Sequence, residues 1–258
     1  MRKWGRVRYI PFSAASEERQ RIVGRRIARA TMSVVPRRKH IIVPGVPHHV
    51  TQRIAHGELL LERDGAKAVL VSLLAEWAER QGVLVHAFAI LNNHFHLSAT
   101  PPDDGALARM LGLAAQGLSR WLNVRIGESG PNWQSRFYAS PMDPCHAIAA
   151  ARYIERNPVA AGLVKRAECW HWSSAAFHAG RGRRPRLLTD PSPTPGGHAP
   201  DEWARLLADG VPGPMADKLH GASSVNALLG SEPWIDGLES ATGRRLRARP
   251  RGRPRKSG

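Results

Sequence analysis

Two histidines one residue apart, His94 and His96, interrupt the segment AILNNHFHLSATP (89–101), which otherwise has the composition of a buried strand. Strand alternation sends His94, His96 and Ser98 to one side and Phe95, Leu97 and Ala99 to the other. The apolar side makes a core face. The other presents two imidazoles, neutral or cationic near neutral pH. At i and i+2 they project from one face and can share a metal ion. Alone the pair is a weak signal, since solvated or hydrogen-bonded histidines are commoner than ligands.

A second pair lies some sixty residues on. Tyr153 and Asn157 are four apart in a helical stretch, so they stack on one face. Of the three tyrosines, Tyr9, Tyr138 and Tyr153, this one has a metal-capable amide a turn away and a basic neighbour, Arg152. The ordinary reading is a tyrosine at the edge of the core and an asparagine ending the helix ahead of Pro158.

The elements around these residues follow from periodicity. VPHHVTQRI (46–54) alternates as a strand, and residues 65–80 place Val69, Leu70, Leu73, Leu74 and Trp77 at helical spacing. VLVHAFAIL (83–91) is a strand, joined to the His94 strand through Asn92-Asn93, a hairpin-length connection. Leu107, Met110, Leu111, Ala114, Leu118, Trp121 and Leu122 trace a second amphipathic helix, and NWQSRFYASP (132–141) a fourth strand. The order β-α-β-β-α-β is the α+β, ferredoxin-like split βαβ plan: an antiparallel sheet with helices on one face. Its other face is expected to be open and to carry the histidines. A third helix, the one bearing Tyr153, starts at an Asp143 cap with Pro144 first and ends near Asn157, because Pro158 disfavours helical geometry before it.

Residues 37–180 thus read as the main domain, 181–200 as a Gly/Pro-rich linker, and 201–240 as two short helices around DEWARLLA and EPWIDGLES. Residues 1–36 read as a basic extension, either a dispensable arm or, with a start at Met32, largely no part of the protein. Of the net charge of +17, the ends hold the excess. Residues 1–40 carry twelve Arg/Lys against Glu17 and Glu18, and 241–258 carry eight with no acid, leaving the body nearly neutral. Cationic ends suit a polyanion, nucleic acid before a small acidic substrate. Within the final, unfolded tail, PRGRPRK (250–256) resembles an AT-hook: Gly252 lets the backbone lie in a narrow groove while Arg251 and Arg253 reach along it. A generic phosphate-contacting tail is the alternative. No apolar run of about 18 residues predicts a membrane span and no secretory signal is seen. Cys145 and Cys169, far apart, fit a reducing cytosol and neither a disulfide framework nor a structural zinc site.

NNHFHL, followed by RYIERNPVAAGLV and WHWSSAAFH, resembles the HUH-type single-tyrosine transposases, the insertion-sequence enzymes and REP-associated tyrosine transposases. The resemblance spans about residues 36–178, from PRRKHIIVPGVPHHVTQR through WQSRFY. It implies that His94 and His96 hold Mg²⁺ or Mn²⁺, that Tyr153 is the nucleophile, and that Asn157, a position that varies between Gln and Asn in the family, is a third ligand. It implies single-stranded DNA with palindromic, hairpin-forming ends as substrate, and, with one tyrosine per chain, a homodimer or successive turnovers for two cleavages. Arg53, Arg136 and Arg152 are the body's candidate DNA contacts, Arg251 and Arg253 the tail's, the latter to AT-rich duplex. A cytoplasmic, nucleoid-associated location follows. RIAHGELLLE departs from the family's Arg-Gly-Asn-type turn after the first strand, so that loop's shape does not carry over.

The chemistry is coherent on physical grounds. Anionic oxygens make a phosphodiester a poor electrophile, and a cation on one of them stabilises the charge that develops during attack. Tyrosine's ordinary pKa is about 10, so a nearby cation favours the phenolate that attacks in line. The product is a 5′-phosphotyrosine and a free 3′-hydroxyl, and reversal rejoins strands without ATP. Hydrolysis by a metal-bound water is the rival, but Asp143 and Glu155 are the acids on or beside this helix and neither shares the Tyr153–Asn157 face. A catalytically inactive, domesticated sequence-specific DNA-binding protein is the alternative of another class. A single-strand binder of the same topology would need stacking aromatics where histidines stand.

Overall fold

The computed structural model describes residues 40–247, apart from 56, 57, 64, 193, 223 and 224. The extension 1–36, with Met32, and the tail motif with Arg251 and Arg253 lie outside the described residues. Strand β1 (His48–Arg53) leads to helix α1 (Ala66–Gln81), the hairpin β2 (Leu84–Ile90) and β3 (His94–Thr100), helix α2 (Ala106–Ile126) and strand β4 (Tyr138–Pro141). The sheet order is β2-β3-β1-β4 with every pair antiparallel, the expected split βαβ. The hairpin turns on Asn92-Asn93, closed where the Leu91 N–H donates to the His94 carbonyl at 2.9 Å.

One face of this sheet holds the main core. Val50, Phe88, Ile90, Phe95 and Leu97 pack against Leu70 and Leu74 of α1 and Leu107, Met110, Leu111 and Leu118 of α2. Burying each such side chain stabilises by about 1.5–3 kcal/mol. Both helices stop at a left-handed glycine, Gly82 (φ 63°) and Gly127 (φ 66°), where another residue would be strained.

The other face is not open, as the sequence had suggested. Helix α3 (Pro144–Ala160) lies across it, where Ala89 and Leu91 meet Ile154. Ala87 joins Ala151, Ala167, Ala175 and Trp203 in a second cluster, its small side chain allowing close approach. Asp143 caps α3 as expected, its Oδ1 accepting from the His146 N–H at 2.8 Å. The helix does not end at Asn157. It runs three residues further with Pro158 inside, since the proline ring's own φ is helical and its missing N–H costs one bond near the end.

Four more boundaries shift. Within 132–141 only Tyr138–Pro141 is strand; Trp133 makes an isolated bridge to Ile54, and its Nε1 donates to the Ala115 carbonyl. The expected linker 181–200 is packed structure: Leu187 and Leu188 enter the main core, and the Thr189 hydroxyl accepts from the Val85 N–H at 2.8 Å and donates to the Val83 carbonyl at 2.7 Å. Beyond helix α4 (Ala175–His178), the region 201–240 contributes three helices rather than two: α5 (Pro200–Asp209), α6 (Gly213–Ala222) and α7 (Glu232–Thr242). The start of the expected tail is folded too. Arg247 pairs with Glu232, Asp236 and Glu239, and Arg244 donates to the Ile42 carbonyl at 3.0 Å. Among the described residues, no helix is long and apolar enough to cross a membrane.

Candidate active site

The residues facing α3 from the two central strands share one parity. His49, Thr51 and Arg53 on β1 register with Ser98, His96 and His94 on β3. Their ring geometry is tight: His94 and His96 lie 5.0 Å apart between centroids, and His49 and His96 5.2 Å. Tyr153, half-buried on α3, brings its ring edge-on to both strands, 6.0 Å from His96 and 5.9 Å from His49. The phenol ring therefore stands beside His96, one member of the His-x-His pair, and beside His49. Its hydroxyl lies 3.3 Å from Nδ1 of His220 on α6. Asn157, one turn on, donates from Nδ2 to the Tyr153 carbonyl at 3.1 Å, which leaves its amide oxygen as the ligand-type atom.

Burial sets the charge state. Desolvation pushes His94 down to about 4, aided by Arg53, and His49 down to about 4. His96 falls well below its ordinary value, first through desolvation and then through His49, His94, Arg53 and His220. Neutral imidazoles keep a lone pair, the form a metal requires. In each of His94 and His96 the internal hydrogen bond is made by Nδ1, to Asn93 Oδ1 at 2.7 Å and to His49 Nε2 at 3.0 Å, which reserves Nε2 for a ligand. Such support of the second ring nitrogen is typical of metal-binding histidines. For His96 it fixes a chain of protons. With Nε2 unprotonated, His96 Nδ1 donates to His49 Nε2, and His49 must carry its proton on Nδ1, an atom buried without a partner. That orphan costs about 1–3 kcal/mol.

By donor type, two neutral imidazoles and an amide oxygen suit a divalent ion that would draw its remaining ligands from phosphate and water. They do not make an all-protein cage. Among the described residues no group of three or more His, Cys, Asp and Glu is arranged to hold a metal. His94 and His96 with the Asn157 oxygen would form the protein's share.

Of the other expected site residues, Arg53 is exposed at the end of β1, and its charge is felt by both histidines. Exposed Arg136 lies by the entry to β4, where its charge adds to the effect of burial in lowering His40. Arg152 is a correction. Its guanidinium donates to the carbonyls of Leu206, at 3.1 Å, and Gly210, tying α3 to the end of α5 rather than offering itself to a phosphate. Two residues at the site were not anticipated. His49 had a signal, since it shares strand parity with Arg53, whereas its neighbour His48 is a satisfied core histidine bonded to Val43 and Val46. His220 had none, because packing alone brings it from 67 residues away.

The fold and site define a ferredoxin-like domain in which a His-x-His strand faces a helix-borne tyrosine. The family model described as "Transposase IS200 like" matches residues 46–157, from just before β1 through Asn157, so this segment is similar to that transposase family. Among solved structures, a REP-associated tyrosine transposase bound to a REP hairpin is similar, at 20% identity and a TM-score of 0.44 over 61% of this chain and 92% of that one. A protein described as a transposase of Deinococcus radiodurans R1 aligns at 12% identity and a TM-score of 0.33, covering 42% of this chain and 86% of its own. No curated protein matches in sequence.

Proposed function

We propose that this protein is a metal-dependent DNA nickase and strand transferase that cleaves single-stranded, hairpin-bearing DNA through a 5′-phosphotyrosine on Tyr153. The observation that carries the reading is the Tyr153 ring set 6.0 Å from that of His96, with a hydrogen-bonding base at its hydroxyl. His94, His96 and Asn157 would hold Mg²⁺ or Mn²⁺, which when bound supplies positive charge to a non-bridging phosphate oxygen. The chain's own groups do the rest. His220 Nδ1 accepts the phenolic proton as Tyr153 Oη forms its bond to phosphorus. The bond from phosphorus to the 3′-oxygen breaks, and that oxygen takes a proton from solvent to leave as a 3′-hydroxyl. Arg53 holds the incoming backbone at the end of β1. Attack by another 3′-hydroxyl on the phosphotyrosine reverses the step and joins strands. Hydrolysis gains no support, because Glu155 is wholly occupied by Ser174, His178 and Trp203, and Asp143 by the α3 cap. Arg251 and Arg253 would add contacts to AT-rich duplex.

The test is incubation of the full chain with hairpin oligonucleotides and Mn²⁺, followed by a denaturing gel. A covalent shift is expected for the native protein and none for Tyr153→Phe. Tight binding with no adduct on any oligonucleotide would instead assign a catalytically inactive DNA-binding protein. Within the active reading, His220→Ala should slow adduct formation by about 10²-fold, the scale of a general base, and leave DNA affinity unchanged.

A further inference from the structure

A concave groove of about 740 Å³ lies around the corner of α3 from Tyr153, between the last turn of that helix and α5. It falls largely outside the family-matched segment, which ends at Asn157. Arg156, Lys165, Arg166, Arg181 and Arg205 line it, against the acids Glu168 and Asp201. The cations are unevenly spent. Arg166 and Arg181 share the single carboxylate of Glu168, so one of their charges stays unbalanced. Arg156, like Arg152, is tied to α5 by donating to the carbonyls of Leu207 and Ala208, so it lends the groove its net charge but no free donor fork. Lys165 and Arg205 are exposed, and each is without an ion pair or hydrogen bond to another described residue. A solvated cationic face is ordinary on a convex surface. Here the charges converge on a concavity whose walls are fixed by helix, 3-10 turn (Ala167–Cys169) and loop, a geometry that concentrates positive potential.

We infer that this groove binds consecutive phosphates of the DNA flanking the cleavage point, holding the substrate while Tyr153 engages the scissile bond. The inference rests on the proposed DNA-cleaving function and names a binding surface for it. The distance is suitable: six residues separate Tyr153 from Val159 at the groove, roughly 9 Å along the helix axis, a span that a strand's backbone covers within a few nucleotides. The phosphates belong either to a hairpin stem or to the unpaired flank, and the two sources share the same chemistry.

The experiment measures equilibrium binding of the full chain across a salt series, to a hairpin oligonucleotide and to a stemless strand of equal length. The variant is Lys165→Gln with Arg205→Gln. Both side chains are exposed and make no hydrogen bond within the described residues, so its melting temperature should match that of the native protein. Expected is a tenfold or greater loss of affinity near physiological salt and a shallower salt dependence, by roughly 1.8 in slope for a duplex stem or 1.4 for a single strand. Loss confined to the hairpin assigns the groove to the stem; equal loss on both assigns it to the unpaired flank. Unchanged affinity and slope on both would overturn the inference. Binding requires no cleavage, so a native protein that binds with the expected slope but forms no adduct would fail the proposed chemistry alone.

Discussion

On the face of the sheet covered by α1 and α2, Val50, Phe88, Phe95 and Leu97 meet leucines and a methionine. On the face covered by α3, Ala87, Ala89, His49, His94 and His96 meet Ile154, Tyr153 and the C-terminal helices. The first face can bury large apolar area because nothing else is asked of it. The second carries the paired imidazoles with a phenol facing them, so the apolar side chains of β2 there shrink to alanines, Ala87 and Ala89. Its cohesion comes from polar ties instead. Glu155, fully buried on α3, bonds Ser174, His178 at 2.5 Å and Trp203 Nε1 at 2.8 Å, and so joins α3, α4 and α5. One sheet therefore carries the large apolar core on one side and the candidate site on the other.

Adjacent residues of β3 test that division most sharply. Phe95→Ala removes a ring packed edge-on against Trp133 and should destabilise by about 3–5 kcal/mol, measured by denaturant unfolding, while the folded fraction still forms adduct. His94→Ala should do the reverse. Its half-buried ring contributes little to packing, so unfolding should move by less than about 1 kcal/mol, whereas adduct formation should fall about 10³-fold through lost stabilisation of phosphate charge. A His94→Ala variant that unfolds but cleaves normally when folded would make the motif structural and erase the distinction.

Glu155→Ala probes the polar ties. It strands the His178 and Trp203 nitrogens and the Ser174 hydroxyl in a buried site, with an expected loss of about 3–5 kcal/mol. A loss under 1 kcal/mol would mean that α3 is held by its small apolar contacts after all. Adduct formation per folded molecule should also drop, because the helix that carries Tyr153 loses its anchor.

The same asymmetry decides what could be read from the sequence. The aliphatic face was legible because its signals are local: alternation in β3, leucine spacing in α1 and α2, and Asn92-Asn93 between strands. His94, His96 and Tyr153 were legible as residues through spacing and family resemblance. Their enclosure was not, because the cover comes from segments with no periodic message about their destination. Leu187 and Leu188 sit in a stretch whose glycines and prolines read as a linker. Helix α6, with Met215 and Leu219 four apart, was missed between Gly213 and Gly221. His220 becomes part of the site only because Leu219 and Ala222 join the cluster of Met142, Ala150 and Leu229 against which Tyr153 packs. Arg152 reads differently in the sequence for a related reason: a basic side chain beside Tyr153 looks like a phosphate contact until the end of α5 is found to need it.

The smallest effect concerns how α3 is aimed at the histidines. Asp143 accepts from the backbone N–H of His146 and from that of Ser231 at 3.0 Å, and its Oδ1 lies 2.8 Å from the His146 ring, so the cap also fastens the start of α7. Burial raises its pKa, but these bonds outweigh burial and hold it below the ordinary carboxylate value. A group depressed on folding stabilises above its unfolded pKa, about 3.9, and that contribution fades as pH falls through the folded value. Asp143→Ala should therefore cost about 1–2 kcal/mol at pH 7 by thermal unfolding, and progressively less below pH about 4 as the native carboxylate becomes protonated. A penalty that stays constant down to pH about 2 would show that the side chain acts through packing rather than as a charged cap. The site on the far side of α3 would then owe its alignment to the buried Glu155 network alone.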